Sequence, residues 1–154
     1  MYQRLLLVSN ATLQTMTALR QGALIARACN ARVHLLIIEP TQVGASIADA
    51  SYPVFRASEA QALLSLGLDR LKRLGLEATG EVVTGEPIGM IAGAAQRFGA
   101  DLIVVGHRRQ SLFERWWSGP SETHIIDHVG CSVMIARDTI SDADFEKLLA
   151  APEI

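Results

Sequence analysis

The chain has 154 residues, of which 49% are hydrophobic and 19% charged, with a formal net charge of −2. This length fits one domain, and the apolar content supports a buried core and excludes a disordered chain. The near-neutral charge, with a pI of 6.1, argues against a general affinity for nucleic acid or anionic membranes. No apolar run approaches the roughly 20 residues of a membrane helix. Residues 5–8 are too few for a signal-peptide core, so we expect a cytoplasmic protein.

Five short apolar runs, each bounded by turn-forming residues, predict strands. They lie at residues 5–8, 33–38, 78–84, 102–106 and 132–136. Asn10 closes the first run, and Pro40 ends the second because proline has no N–H for the strand ladder. The third run is more polar than the others, which favours a place near an edge of the sheet.

Apolar residues spaced three and four apart predict helices between these strands. They lie at residues 12–30, 58–74, 88–98 and, as a short helix, 122–128. Asn30 and Gly75 are expected C-terminal stops, while residues 41–54 have no firm period and predict a loop. Ser141 and Asp144 resemble a capping box and predict a helix in the tail. The buried side of the second helix is expected to comprise Leu63, Leu64, Leu66, Leu68, Leu71 and Leu74.

This alternation predicts an α/β fold: an open five-stranded parallel sheet with helices on both faces, a Rossmann-like sandwich. Such sheets bind ligands at the carboxyl ends of their strands, where the strand order reverses. The run at 101–106 is the most informative, because this buried strand ends in Gly106 and leads into His107. The following loop carries Arg108 and Arg109 where a phosphate cradle would have glycines. The sequence therefore predicts a nucleotide-type sheet with an altered phosphate loop.

Several motifs resemble those of the universal stress protein family. They are the turn Gly85-Glu86-Pro87 followed by Ile91 and Ala94-Ala95, the strand at 101–106, and the segment at 131–135, where Ser132 replaces the family's proline. The resemblance extends to about Arg137. It implies a domain at residues 1–137 and leaves residues 138–154 as a tail, which we expect to be helical.

The nucleotide-binding branch of that family carries the motif Gly-x2-Gly-x9-Gly-Ser/Thr after the fourth strand. Aligned without gaps, its three glycines fall on Gly106, Arg109 and Gly119, and its hydroxyl residue falls on Pro120. Arg109 adds a side chain where backbone approaches phosphate, although its charge attracts phosphate. Pro120 removes an N–H and a hydroxyl. The chain therefore resembles more closely the branch with a degenerate ATP-binding motif.

The resemblance implies further site residues near the strand ends. The acidic residue that normally ends the first strand beside the adenosine is Asn10 here, and the apolar residue that lies against adenine is Ile38. His107 is a candidate for ligand contact or proton transfer, with a loop histidine bonded to backbone as the alternative. The implied nucleotide site comprises Asn10, Ile38, Gly106, His107, Arg109, Gly119, Pro120 and Ser121. Its cofactor would be ATP with magnesium, although the altered motif favours none.

Two other residue clusters carry weaker signals. His124 and His128, with Asp127 between them, lack the further ligands that a metal site needs and are interpreted as surface residues. Cys29 and Cys131 have no CxxC spacing. A reduced cytosolic pair is favoured over a disulfide between them.

The loop after the fourth strand is also basic and aromatic. Arg115, Trp116 and Trp117 would suit single-stranded nucleic acid, but the overall acidity argues against that partner. We favour a loop that covers the sheet edge or a partner chain. No motif of a nucleophilic enzyme is present.

The last strand would lie at a sheet edge, and its apolar residues Val133, Met134 and Ile135 predict pairing with a second copy. The resemblance implies the same dimer. We therefore expect a homodimeric regulatory or binding module of the stress response, with unknown protein partners, no catalysis, and weak or no ATP binding. The alternative is an ATP- or AMP-binding switch with slow hydrolysis, in the crevice at the ends of the first and fourth strands. A small-molecule or metal-dependent enzyme is a third, weaker alternative.

Overall fold

The computed structural model describes residues 1–10, 16–39, 57–106, 124–137 and 139–151, and in these ranges strands alternate with helices. The strands are β1 (Arg4–Asn10), β2 (Arg32–Glu39), β3 (Ala78–Thr84), β4 (Leu102–Gly106) and β5 (Ser132–Ala136). The helices are α1 (Thr17–Cys29), α2 (Ala57–Arg73), α3 (Pro87–Phe98) and α4 (Asp142–Ala150). The described part of the predicted short helix at 122–128 is a single 3-10 turn, Ile125–Asp127. The predicted loop at 41–54 lies outside the described residues.

The five strands form one parallel sheet in the order β3-β2-β1-β4-β5. This confirms the predicted open parallel sheet, and it confirms that β3 and β5 are its edge strands. The chain builds outward from β1 to β3 and then returns to add β4 on the other side of β1. The strand order therefore reverses between β1 and β4, which is where doubly wound sheets open a crevice at their carboxyl ends.

The sheet separates two apolar layers, because neighbouring residues of a strand point to opposite faces. On β1, Leu5 and Leu7 belong to the layer under α1, α2 and α4, whereas Leu6 and Val8 belong to the layer under α3. Gly22 brings α1 close to the sheet, since a Cβ at this position would overlap the side chain of Leu7. The core therefore lies on both faces and holds the strand ends of the crevice in register.

The helix ends follow the predicted stop and start signals. Asn30 ends α1 with a φ of 52°, and Gly75, with a φ of 74°, follows α2. Both angles are left-handed, which glycine and asparagine tolerate best. Helix α3 begins after Glu86, whose side chain accepts hydrogen bonds from the backbone N–H groups of Ile88 and Gly89 at 3.0 and 2.7 Å.

The tail helix is part of the packed domain. The predicted cap is confirmed, because Ser141 Oγ accepts a hydrogen bond from Asp144 N at 3.1 Å. Phe145 is 0% exposed and Leu149 is buried, and both belong to the layer under α1 and α2. The family resemblance ends near Arg137, yet the core continues through α4.

One predicted core residue of α2 is wrong. Leu66 is 36% exposed, whereas Leu63, Leu64 and Leu71 are buried. At 100° per residue, position 66 lies on the outer side of this helix, and Gly67 occupies the inner side against Leu35.

Candidate functional site

Three of the predicted site residues lie at the carboxyl edge of the sheet. Asn10 ends β1 and Gly106 ends β4, and these two strands are neighbours at the point where the strand order reverses. Ile38 is the β2 partner of Asn10 in the strand register. Neighbouring strands lie about 4.8 Å apart, so one small ligand would span all three strand ends.

The side chain of Ile38 is buried in the apolar layer under α3. It is therefore enclosed by the protein, with 1% of its surface exposed, and presents no open face to a ligand. The rest of the predicted site, namely His107, Arg109, Gly119, Pro120 and Ser121, falls in residues 107–123, outside the described residues.

Glu39, which was not predicted from the sequence as a site residue, lies beside these positions. Glu39 is the last residue of β2, and its Oε2 accepts a hydrogen bond from Thr84 Oγ1 at 3.2 Å. Its other carboxylate oxygen, Oε1, is buried and has no hydrogen-bond partner in the described part of the chain. The signal that would have found Glu39 is its place, since an acidic residue near the end of the second strand is typical of dinucleotide-binding sheets.

The N-terminus of α3, which follows the edge strand β3, is capped by its own chain. Helix N-termini attract anions through their free N–H groups and dipole. At α3 both oxygens of Glu86 take up this role, with Ile88 N and Gly89 N as donors. A phosphate at this end of α3 would therefore have to displace Glu86, and the family motif implies the loop after β4 as the phosphate site.

The histidine and cysteine clusters lie in the described part of the chain, whereas Arg115, Trp116 and Trp117 fall outside it. His124 and His128 flank a single 3-10 turn, so they do not share the face of an α-helix. The described residues hold no group of three or more His, Cys, Asp or Glu that would suit a metal ion. Cys29 and Cys131 are free thiols. Burial raises the pKa of Cys131, with a smaller contribution from Asp101, and this disfavours the nucleophilic thiolate.

The β5 edge is apolar along its rim. In the described ranges β5 pairs only with β4. Ile135 is 39% exposed, and Val133 and Met134 are half-buried. Unpaired strand edges of this kind recruit further strands. No helix in the described ranges is long and apolar enough to cross a membrane.

Comparison with known sequences gives a family. The profile of the family described as "Universal stress protein family" matches residues 1–137. No curated protein sequence matches the chain.

Solved structures resemble the fold over nearly its whole length. A universal stress protein in complex with cAMP is 22% identical, with 90% of this chain and 98% of that chain covered and a TM-score of 0.64. A family member from Arabidopsis thaliana with AMP bound is 20% identical, with coverages of 91% and 97% and a TM-score of 0.63. A universal stress protein from Archaeoglobus fulgidus in complex with dAMP is 20% identical, with coverages of 88% and 98% and a TM-score of 0.60.

Proposed function

Because the chain belongs to the universal stress protein family, we propose that it is a non-catalytic regulatory module of the stress response. It acts as a homodimer on protein partners, and its crevice binds an adenine nucleoside monophosphate better than ATP. One observation carries this proposal. The strand ends of the crevice, at Asn10, Ile38 and Gly106, stand together at the reversal of strand order, whereas the phosphate motif is altered at Arg109 and Pro120.

The adenosine half of the site depends on the strand ends. The three related structures carry cAMP, AMP and dAMP, which share a purine and a single phosphate. Asn10 keeps hydrogen-bonding capacity where the family has a carboxylate. The buried side chain of Ile38 lies in the apolar layer beneath these strand ends. These features support binding of a nucleoside with a short phosphate chain.

The polyphosphate half of the site depends on the altered loop. Pro120 lacks the backbone N–H and the hydroxyl that the family motif supplies at this position. Arg109 brings a side chain to a position where glycine lets the backbone approach phosphate. A single phosphate needs fewer hydrogen-bond donors than a triphosphate, so these losses weaken the binding of ATP more than the binding of AMP. Catalysis of ATP hydrolysis would also require a held metal ion and a positioned water.

A second candidate function is an ATP- or AMP-binding switch with slow hydrolysis. Gly106 and Gly119 keep their spacing in the motif, and the charge of Arg109 favours phosphate. In that case ATP would bind with magnesium as tightly as AMP or more so.

Restoring the family's phosphate motif by mutation distinguishes the two candidate functions. We expect the double substitution Arg109→Gly and Pro120→Ser to raise the affinity for ATP with magnesium by about tenfold or more, which is about 1.4 kcal/mol. The affinity for AMP should change by less than about threefold. Calorimetric titration measures both affinities. If the wild-type chain already binds ATP as tightly as the double variant, the switch is the correct function.

A further inference from the structure

Glu39 has an unusual environment for a carboxylate at the end of a strand. It closes β2, and its backbone oxygen accepts a hydrogen bond from Gly85 N at 3.4 Å. Thr84, its register partner on β3, fixes one carboxylate oxygen by donating to Oε2. The side chain is therefore held from the β3 side.

The other oxygen of this carboxylate is left without a donor. Oε1 is buried, and no donor reaches it within the described residues. Burying a hydrogen-bond acceptor without a partner is costly, and the cost is greater for a charged group. Native structures tolerate such groups chiefly where a ligand, a water or an ion completes them.

The position of Glu39 indicates which ligand would supply the donor. It follows Ile38, the register partner of Asn10, so its Cα lies about 6 Å from that of Asn10 by strand spacing and rise. In dinucleotide-binding sheets an acidic residue in this region of the fold accepts a hydrogen bond from a ribose hydroxyl. The chain has an amide at the end of β1 and a carboxylate at the end of the neighbouring strand.

We infer that Glu39 is the ribose-recognition residue of the crevice, with Oε1 accepting a hydrogen bond from the 2′-hydroxyl of a bound ribonucleotide. This inference rests on the proposed function, because it requires a nucleotide at the carboxyl edge of the sheet. Thr84 is the positioning residue, since its hydroxyl holds Oε2 and thereby orients Oε1.

The arrangement makes the chain selective for ribonucleotides over deoxyribonucleotides. A 2′-deoxynucleotide brings no donor to Oε1 and leaves the carboxylate unsatisfied. Hydrogen bonds to charged groups are stronger than neutral ones. We therefore expect AMP to bind at least about tenfold more tightly than 2′-deoxy-AMP.

The test is calorimetric titration of AMP and 2′-deoxy-AMP into the full-length chain after removal of bound nucleotide. Three substitutions form the series. Glu39→Gln keeps a neutral acceptor and should reduce the preference for AMP to a few-fold, and Glu39→Met keeps the length but no acceptor and should abolish it. Glu77→Gln is the matched control, because Glu77 is an exposed glutamate that pairs with Arg32 near the opposite end of the sheet. The Glu77→Gln variant should prefer AMP over 2′-deoxy-AMP to the same extent as the wild type.

The outcomes separate this inference from the proposed function. Equal affinity of the wild type for AMP and 2′-deoxy-AMP would overturn the inference and leave the proposed function standing. Absence of AMP binding would overturn both. Loss of thermal stability in ligand-free Glu39→Gln protein would assign the carboxylate to the fold and also contradict the inference, which predicts an equally or more stable variant.

Discussion

Asp101 joins the starts of the two strands whose ends form the crevice. Its carboxylate accepts hydrogen bonds from Gln3 N at 2.7 Å and Arg4 N at 3.0 Å, and its own N–H donates to Arg4 O at 3.0 Å. Asp101 thus fixes β1 against β4 from the amino edge. The register that brings Asn10 and Gly106 together depends in part on this residue.

We predict that Asp101→Ala lowers the free energy of unfolding by about 1–2 kcal/mol, because two backbone N–H groups lose a charged acceptor. Urea denaturation measures the change. Glu77→Ala removes an exposed ion pair and should cost no more than about 0.5 kcal/mol. Equal stability of the Asp101→Ala and wild-type proteins would show that the strand ladder alone sets the register.

Single residues were predictable from sequence where a local conformation demanded them. Asn30 and Gly75 were identified as helix stops because left-handed backbone suits these two residue types. The burial of Arg70 was not predictable, because it depends on residues distant in the sequence. The unpaired carboxylate oxygen of Glu39 was not predictable either, because no sequence pattern indicates that a donor is missing. Leu66 was misplaced because leucine spacing alone does not give the rotation of a helix.

Helix α4 is held to α2 by ionic contacts as well as by its apolar side. Arg70 Nη1 and Nη2 donate to the two oxygens of Asp142 at 2.9 and 3.2 Å, and Nη2 also lies 2.9 Å from Glu146 Oε1. Arg20 of α1 lies 3.5 Å from Asp142. Forked pairing of this kind is geometrically specific, so it fixes how α4 sits on the helices below it.

The apolar contact of α4 is expected to contribute most of its docking energy. Phe145→Ala should lower the free energy of unfolding by about 3–5 kcal/mol, because it opens a cavity in the core. Leu148→Ala, at a side chain 40% exposed on the same helix, should change it by less than about 0.5 kcal/mol. Urea or thermal denaturation measures both. A small effect of Phe145→Ala would mean that α4 is only loosely attached.

The ionic contact predicts a pH dependence of stability. The hydrogen bonds from Arg70 hold the pKa of Asp142 below its ordinary value, and the charges of Arg70 and Arg20 add to this. An aspartate whose pKa is lower in the folded state stabilises the fold at pH above its unfolded pKa, near 4. That contribution is lost as the pH falls through the lower folded value.

Asp142→Asn should therefore reduce the difference in unfolding free energy between pH 7 and about pH 3. Urea denaturation of both proteins at the two pH values measures this difference. An unchanged difference would show that solvent screens the exposed Asp142 carboxylate fully.

Among the secondary-structure elements, the strands were the most predictable. The runs at 78–84, 102–106 and 132–136 agree with β3, β4 and β5 residue for residue, because the turn-forming glycines Gly85, Gly99 and Gly130 lie close to their limits. The predicted tail helix was also confirmed by its cap. Its packing into the core was not predictable, since the period of so short a helix does not identify the surface it covers.

In the described part of the chain, β5 presents an apolar strand edge that the proposed homodimer would cover. We expect Ile135→Lys to shift the protein from dimer to monomer at micromolar concentration, because a lysine on the rim of β5 opposes strand pairing. Leu148→Lys introduces the same charge at a side chain of nearly equal exposure, 40% against 39%, and should leave the dimer intact. Sedimentation velocity distinguishes the two states. A wild-type chain that is monomeric at this concentration would contradict the dimer.

The architecture of the whole chain was predictable because short apolar runs, typical of buried parallel strands, alternate along it with segments of the helical period of about 3.6. The strand-end half of the site follows from that architecture, since the carboxyl ends of β1 and β4 must meet where the strand order reverses. The loop half was predicted only by alignment to the family motif, through Arg109 and Pro120. Loop conformation depends on specific side-chain contacts that no periodicity encodes.

We propose that the crevice retains a nucleoside site and that its polyphosphate site is weakened. Titration of AMP, and separately of ATP with magnesium, into nucleotide-stripped wild-type protein tests it most directly. We predict that AMP binds at least about tenfold more tightly than ATP. Binding of ATP as tightly as AMP, or failure of either to bind up to about millimolar concentration, would contradict it.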